Sequence, residues 1–280
     1  MDPRTELLII DPQNDFCDLP AGWRPIDPAT GQPCAPALPV PGAHADMQGL
    51  AAFVARVGDT LSAITLTLDS HHRHDIAHPG FWQHGDGSAV APFTPITAAQ
   101  VRAGHYRPFH ASALPRTLSY LEALEAGGRY TLMVWPVHCQ IGSWGHAVHA
   151  SVQAACSAWE DRHQQAVHAV FKGRNPWTEH YSAVQAEVPD PADPDTGLNH
   201  ALLARLDSAD RILVAGEAGS HCVKASVEHL VAHLPKGRPE RITLLTDGMS
   251  PVAGFAAQQV LFFDAMRAAG VHLARMDQVA

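Results

Sequence analysis

The sequence predicts an α/β three-layer sandwich, a mostly parallel β-sheet with helices on both faces. Two observations carry that prediction. Short apolar runs recur along the chain almost without polar interruption, as expected of strands buried on both faces. Between several of them lie longer windows whose apolar residues repeat at helical spacing. At 280 residues the chain is long enough to bury a substantial core. No internal repeat or low-complexity tract breaks the alternation, so residues 1–280 read as one domain.

The runs expected to form strands are 7–10, 63–68, 166–171, 211–215, 242–246 and 271–276. After Cys222, the positions Val223, Val227, Leu230, Val231 and Leu234 make a single apolar helix face. Within 255–269, Val260, Phe263 and Met266 suggest a similar stripe. The Pro-rich stretches 21–41 and 188–194 read as loops. Residues 84–128 fit the rhythm less well: prolines punctuate them before a short helix around 118–126, so they read as an insertion or lid. Periodicity does not decide whether 130–135 is a seventh strand.

Composition excludes several function classes. The net charge of −9, with no basic patch among aromatics, argues against a nucleic-acid partner. No segment approaches the roughly 20 apolar residues that cross a bilayer, so no membrane is expected. The N-terminus lacks a charged-then-apolar leader pattern, and a cytoplasmic protein is the expectation. The five cysteines have no C-x-x-C spacing, which disfavours a disulfide scaffold or a zinc ribbon.

In parallel α/β sheets, ligands bind beyond the carboxyl ends of the strands. Four reactive side chains fall there: Asp11 after the first run, Asp69 after the second, Lys172 after the third, and Cys222 where the fourth run turns into a helix. A helix N-terminus is expected to lower a thiol's pKa, favouring the nucleophilic thiolate at Cys222. Alone, Cys222 reads as a small packed residue. With an aspartate to accept its proton and a lysine to balance charge, the catalytic reading becomes the better one. Asp69, His71 and His138 offer a carboxylate and two imidazoles, a set suited to Zn²⁺, Fe²⁺ or Mn²⁺, with His78 as a fourth candidate. Spacing alone does not choose between that metal site and a polar, His-rich loop.

Six segments, in order, carry a resemblance: LLIIDPQNDFC, TLDSHHRH, WPVHCQIGSWG, FKGRNPWTEHYSA, VAGEAGSHCVKASV and TLLTDGMSPV. Together they span nearly the whole chain apart from the Pro-rich loop and the insertion. The chain resembles the nicotinamidase branch of the isochorismatase-like cysteine hydrolases, with WPVHC the most specific segment. The resemblance implies a triad of Asp11, Lys172 and Cys222. It also implies a divalent metal, zinc first, on Asp69, His71 and His138. An oxyanion hole from the backbone N–H groups of Ala218 and Cys222 is implied too, with a cis peptide between Glu217 and Ala218. Phe16, Trp135 and Tyr181 fall where the family lines its pocket with aromatics, and a homo-oligomer is implied as well.

The activity so implied is hydrolysis of a small primary amide to carboxylate and ammonia through a thioester at Cys222. Two departures bear on the substrate. Glu217 stands where these enzymes usually have an apolar residue, and the carboxylate is expected to bind a substrate donor or pair with a histidine such as His221. The chain is also longer than usual, mainly through the insertion. An alternative is therefore a carbamoyl or other non-aromatic amide cleaved by the same triad. A non-catalytic metal- or ligand-binding scaffold is the alternative of another class.

Overall fold

The computed structural model describes residues 3–279. In chain order, β1 (Thr5–Ile10) leads through the Pro-rich loop to α1 (Ala43–Val57) and then to β2 (Ala63–Asp69). Next come β3 (Trp82–His84), β4 (Thr94–Ile96), α2 (Ala98–Arg102), β5 (Tyr106–Pro108), α3 (Leu114–Gly127) and β6 (Leu132–Val134). The chain then runs through α4 (Ala150–His163), β7 (His168–Lys172), α5 (His200–Asp207) and β8 (Arg211–Gly216). It finishes with α6 (Cys222–His233), β9 (Ile242–Leu245), α7 (Ala256–Ala268) and β10 (His272–Ala274).

All six expected strands form, and they make one parallel sheet in the order β10-β9-β8-β1-β2-β7. Central β1 is buried along its whole length. Each of its fully buried Leu7, Leu8, Ile9 and Ile10 side chains contributes roughly 2 kcal/mol of apolar burial. The one charge in its middle, Glu6, is met by Arg205 Nε at 2.7 Å and Thr65 Oγ1 at 2.6 Å. Right-handed crossovers place α1 and α4, which pack on each other, on one face, and α5, α6 and α7 on the other. The chain leaves β1 in one direction and β8 in the opposite direction, so the sheet's switch point lies between these two neighbours.

Gly216 ends β8 at φ 121°, hard against β1, where a Cβ would collide with the Ile10 backbone. Only glycine permits that approach, and it is what brings the following loop close to the end of β1.

Two expectations are corrected, and one open question is answered. On α7 the buried residues are Phe262 and Met266, one i,i+4 pair, while Val260 is 58 % exposed. Residues 130–135 are not a seventh strand of the central sheet: β6 pairs antiparallel with β4. Residues 84–128, expected to be an insertion, hold β4, α2, β5 and α3 between β3 and β6, and α3 begins at Leu114 rather than near 118. Phe81, Trp82, Ile96, Leu121, Leu132 and Val134 form an apolar cluster of its own there, beside the main core. Strands of three residues are too short to show an alternation that sequence reading could detect.

Candidate active site

Strands β8, β1, β2 and β7 are consecutive neighbours, so the residues at their carboxyl ends meet. Asp69 and Lys172 are register partners, as are Ile10, just before Asp11, and Gly216, which opens the loop to Cys222. Lys172 Nζ is the hub. It lies 2.9 Å from Asp11 Oδ2, 3.0 Å from Asp69 Oδ1 and 3.5 Å from Cys222 Sγ, and it donates to the His180 carbonyl at 3.0 Å. Asp11 takes a left-handed backbone, φ 43°, unusual for a non-glycine residue. Thr67 holds it there: its Oγ1 accepts from Asp11 N–H at 3.0 Å and donates to Asp11 Oδ1 at 2.5 Å.

Burial sets the resting protonation of the triad. It pushes the Cys222 thiol well above its ordinary range, although Lys172 pulls the other way. The helix N-terminus was expected to lower this pKa. Cys222 does open α6, but desolvation of a thiolate outweighs the half-charge of a helix end. Burial also raises the Asp11 carboxyl, against Lys172. Lys172 itself is buried, yet Asp11 and Asp69 hold it well above the ordinary lysine value, so it stays an ammonium.

The Asp69 carboxylate uses its other oxygen on a second group. Oδ2 lies 3.0 Å from His71 Nε2 and 3.3 Å from His138 Nε2. The three side chains are buried and can bring ligand atoms within 4.8 Å of one another. Their outer nitrogens are already engaged: His71 Nδ1 donates to Asp75 Oδ2 at 3.0 Å, and His138 Nδ1 to the Pro136 carbonyl at 2.8 Å. Both Nε2 atoms therefore face inward, as in metal-ligating histidines, where the outer nitrogen is usually the one engaged by a neighbour. The donor set therefore fits a divalent ion with open coordination positions. His78 is not part of the group. Its Nε2 stands 3.4 Å from His138 Nδ1, on that ring's outer side, and its Nδ1 meets the His72 carbonyl.

A cleft joins Cys222 to the group of Asp69, His71 and His138; its wall includes Phe16, Trp135, His138, Tyr181, His221 and Cys222. Trp135 Nε1 donates to Tyr181 Oη at 3.0 Å, fixing two of these rings to each other. Ala218 also lines the cleft. Among the described residues, the N–H groups of Ala218 and Cys222 donate to no protein acceptor. The Glu217–Ala218 peptide is cis, as the resemblance implied.

Glu217 is placed elsewhere. It is fully buried, but its carboxyl turns away from the cleft, accepting from Ser250 N–H at 3.3 Å near Asp46 of α1. Burial first, and then the charge of Asp46, raise its pKa well above the ordinary glutamate value. His221 pairs with Ser220, not with Glu217.

Sequence reading gave no role to several residues that shape the site. Gln13 clamps the end of β2, donating to the Asp69 carbonyl at 2.8 Å and accepting from Asp69 N–H at 2.7 Å. Asp15 accepts from Cys139 N–H at 2.7 Å and from Ala37 N–H at 3.0 Å, tying the Pro-rich loop to the turn that carries His138. Glu179 lines the cleft with one carboxyl oxygen unpartnered, and burial raises its pKa. Gln13 and Asp15 sit inside the first quoted segment, and their polarity beside a strand end was the available signal.

The sequence matches no protein-family model and no curated protein. Solved structures do match. A yeast nicotinamidase aligns at 19 % identity and TM-score 0.62, over 96 % of this chain and 99 % of that one. A pyrazinamidase of Pyrococcus horikoshii, described in complex with zinc, aligns at 16 % identity and TM-score 0.56, over 98 % and 99 %. An isochorismatase-like hydrolase from Alkaliphilus metalliredigens aligns at 14 % identity and TM-score 0.51, over 98 % and 96 %. At these identities the likeness establishes the fold: this chain has the α/β architecture of the nicotinamidases and isochorismatase-like hydrolases.

Proposed function

We propose that this protein is a metal-containing cysteine amidohydrolase that converts a small primary amide, of the nicotinamide kind, to its carboxylate and ammonia. One observation carries the reading: a single buried ammonium, Lys172, touches the thiol, the proton-accepting aspartate and the aspartate of the metal group at once. A buried salt bridge kept only for stability has no need of a thiol and two histidines around it.

Cys222 rests as the thiol. As its sulfur attacks the amide carbon, its proton passes to Asp11, and Lys172 balances the charge that develops. The carbonyl oxygen becomes an oxyanion met by the free N–H groups of Ala218 and Cys222. Asp11 returns the proton to the amine, ammonia departs and an acyl thioester remains on Cys222. Water then attacks the thioester, giving a proton to Asp11, which returns it to the Cys222 sulfur as the carboxylic acid leaves and ionises in solvent to the carboxylate. Asp69, His71 and His138 would hold the metal, with zinc favoured by the Pyrococcus horikoshii pyrazinamidase. A bound ion would supply Lewis acidity to orient a substrate heteroatom or a water.

The test is ammonia release from nicotinamide, pyrazinamide and a panel of aliphatic amides, with Cys222→Ala beside the wild type. The expected result is turnover of an aromatic amide that the variant abolishes. Turnover retained by the variant would overturn the assignment of the nucleophile.

A further inference from the structure

His221 gives the cleft wall beside Cys222 a polar edge that the amide chemistry leaves unused. His221 lines the cleft, packed among aromatic rings: Phe255 at 4.7 Å, Trp135 at 5.3 Å and Tyr181 at 5.6 Å between centroids. Its Nδ1 lies 2.8 Å from Ser220 Oγ, and that oxygen already accepts from Val252 N–H at 3.0 Å.

Proton accounting assigns the tautomer. Ser220 is buried, and its hydroxyl hydrogen has one acceptor among the described residues, His221 Nδ1. The hydroxyl therefore donates to Nδ1, and the ring's own hydrogen sits on Nε2. Burial agrees with an uncharged ring, lowering the His221 pKa to about 4. Among the described residues Nε2 has no protein partner, so its N–H is a donor held ready between the rings of Trp135, Tyr181 and Phe255.

We propose that His221 is a specificity-determining donor, whose Nε2–H selects a flat carboxamide bearing a second hydrogen-bond acceptor besides the scissile amide. The acceptor would be a ring nitrogen or an ether or carbonyl oxygen. This deepens the amidohydrolase reading and rests on it. The metal histidines contact each other and Phe16, whereas His221 contacts Trp135, Tyr181 and Phe255, so the two recognise different parts of a substrate.

The experiment uses matched nicotinamides carrying either a methoxy or an ethyl group at ring position 5 or 6. These differ in one acceptor at nearly constant shape. Wild-type protein is expected to prefer methoxy over ethyl by about tenfold in kcat/KM at one of the two positions, carried mainly by KM, the scale of one hydrogen bond in a dry site. In His221→Phe the ratio should fall to about one, and in Ser220→Ala, where the tautomer is no longer fixed, to an intermediate value. A ratio near one in wild type at both positions, or one that survives His221→Phe, overturns the proposal. Calorimetric binding of the same pairs to Cys222→Ser separates the two readings. A methoxy preference in binding without turnover of any amide by wild type would sustain the role of His221 and sink the amidohydrolase reading.

Discussion

Asp69 and Lys172 are joined at 3.0 Å through Asp69 Oδ1 alone, and the second oxygen of that carboxylate is left to face His71 and His138. One side chain therefore belongs to both the triad and the metal group. Its charge is secured from both directions: burial opposes ionisation, but His71 and Lys172 together hold its pKa well below the ordinary value.

Asp69→Asn should therefore fail twice. Metal content of the purified, chelator-free protein should fall below stoichiometric, and turnover should drop by roughly a hundredfold or more. By contrast, Asp75→Ala leaves Asp69 intact and removes the partner of the outer nitrogen of His71, together with the oxygen that accepts from Ala77 N–H at 2.9 Å. It should weaken metal binding by about 10–100-fold while leaving the Lys172 contacts in place. Elemental analysis beside kcat measurements distinguishes the two, and full metal loading in Asp69→Asn would refute the shared carboxylate.

The raised thiol pKa makes Cys222 slow to alkylate in the resting protein. Iodoacetamide labelling at pH 7 should be slower than for a free thiol and should climb only above the ordinary thiol range, near pH 9. Lys172→Met removes the one cation that pulls this pKa down and should slow labelling further. Rapid labelling at pH 7 would mean that the helix end dominates after all.

Glu217 predicts a stability effect with a definite sign. Its folded pKa lies well above the ordinary 4.5, so the folded protein holds a proton there that the unfolded chain releases. Stability from this group is complete below pH 4.5 and is lost as pH rises toward the folded pKa. The wild-type Tm should thus fall relative to that of Glu217→Gln as pH rises above 4.5, the gap widening with pH. Parallel curves would count against the raised pKa. Since the carboxyl turns away from the cleft, Glu217→Gln should leave the ranking of amide substrates unchanged.

Helix α3 reaches the site through Tyr120: Glu179 N–H donates to Tyr120 Oη at 3.0 Å. Tyr120→Phe strands that buried N–H, at a cost of about 1–3 kcal/mol. A Tm several degrees lower, together with a raised KM, is expected because Glu179 lines the cleft. An unchanged Tm would show that the hydroxyl is dispensable.

The sheet was legible because a parallel strand covered on both faces is buried nearly throughout and so largely apolar, as β1, β2, β8 and β9 are. Asp11, Asp69, Lys172 and Cys222 were legible for the same reason, since the polar residue ending such a run marks the strand's carboxyl end. What escaped depended on distant packing. Nothing near Glu217 in the sequence says that its neighbour is Asp46, on a helix across the sheet. The direction of the Cys222 shift required knowing how completely the thiol is buried. In the crowded stretch after Asp69, only the folded loop separates Asp75, which orients His71, from His78, which stands behind His138.

Gln13 has a consequence for anyone who would re-engineer this pocket. Its amide grips both polar atoms of the Asp69 backbone from a residue two places after Asp11, so one short peptide sets the distance between the general base and the metal group. Libraries that vary the 11–15 stretch would detune both halves of the machinery together. The rings of Trp135, Tyr181 and His221 stand on other segments, and substrate choice can be redrawn there while the spacing that Gln13 enforces is kept.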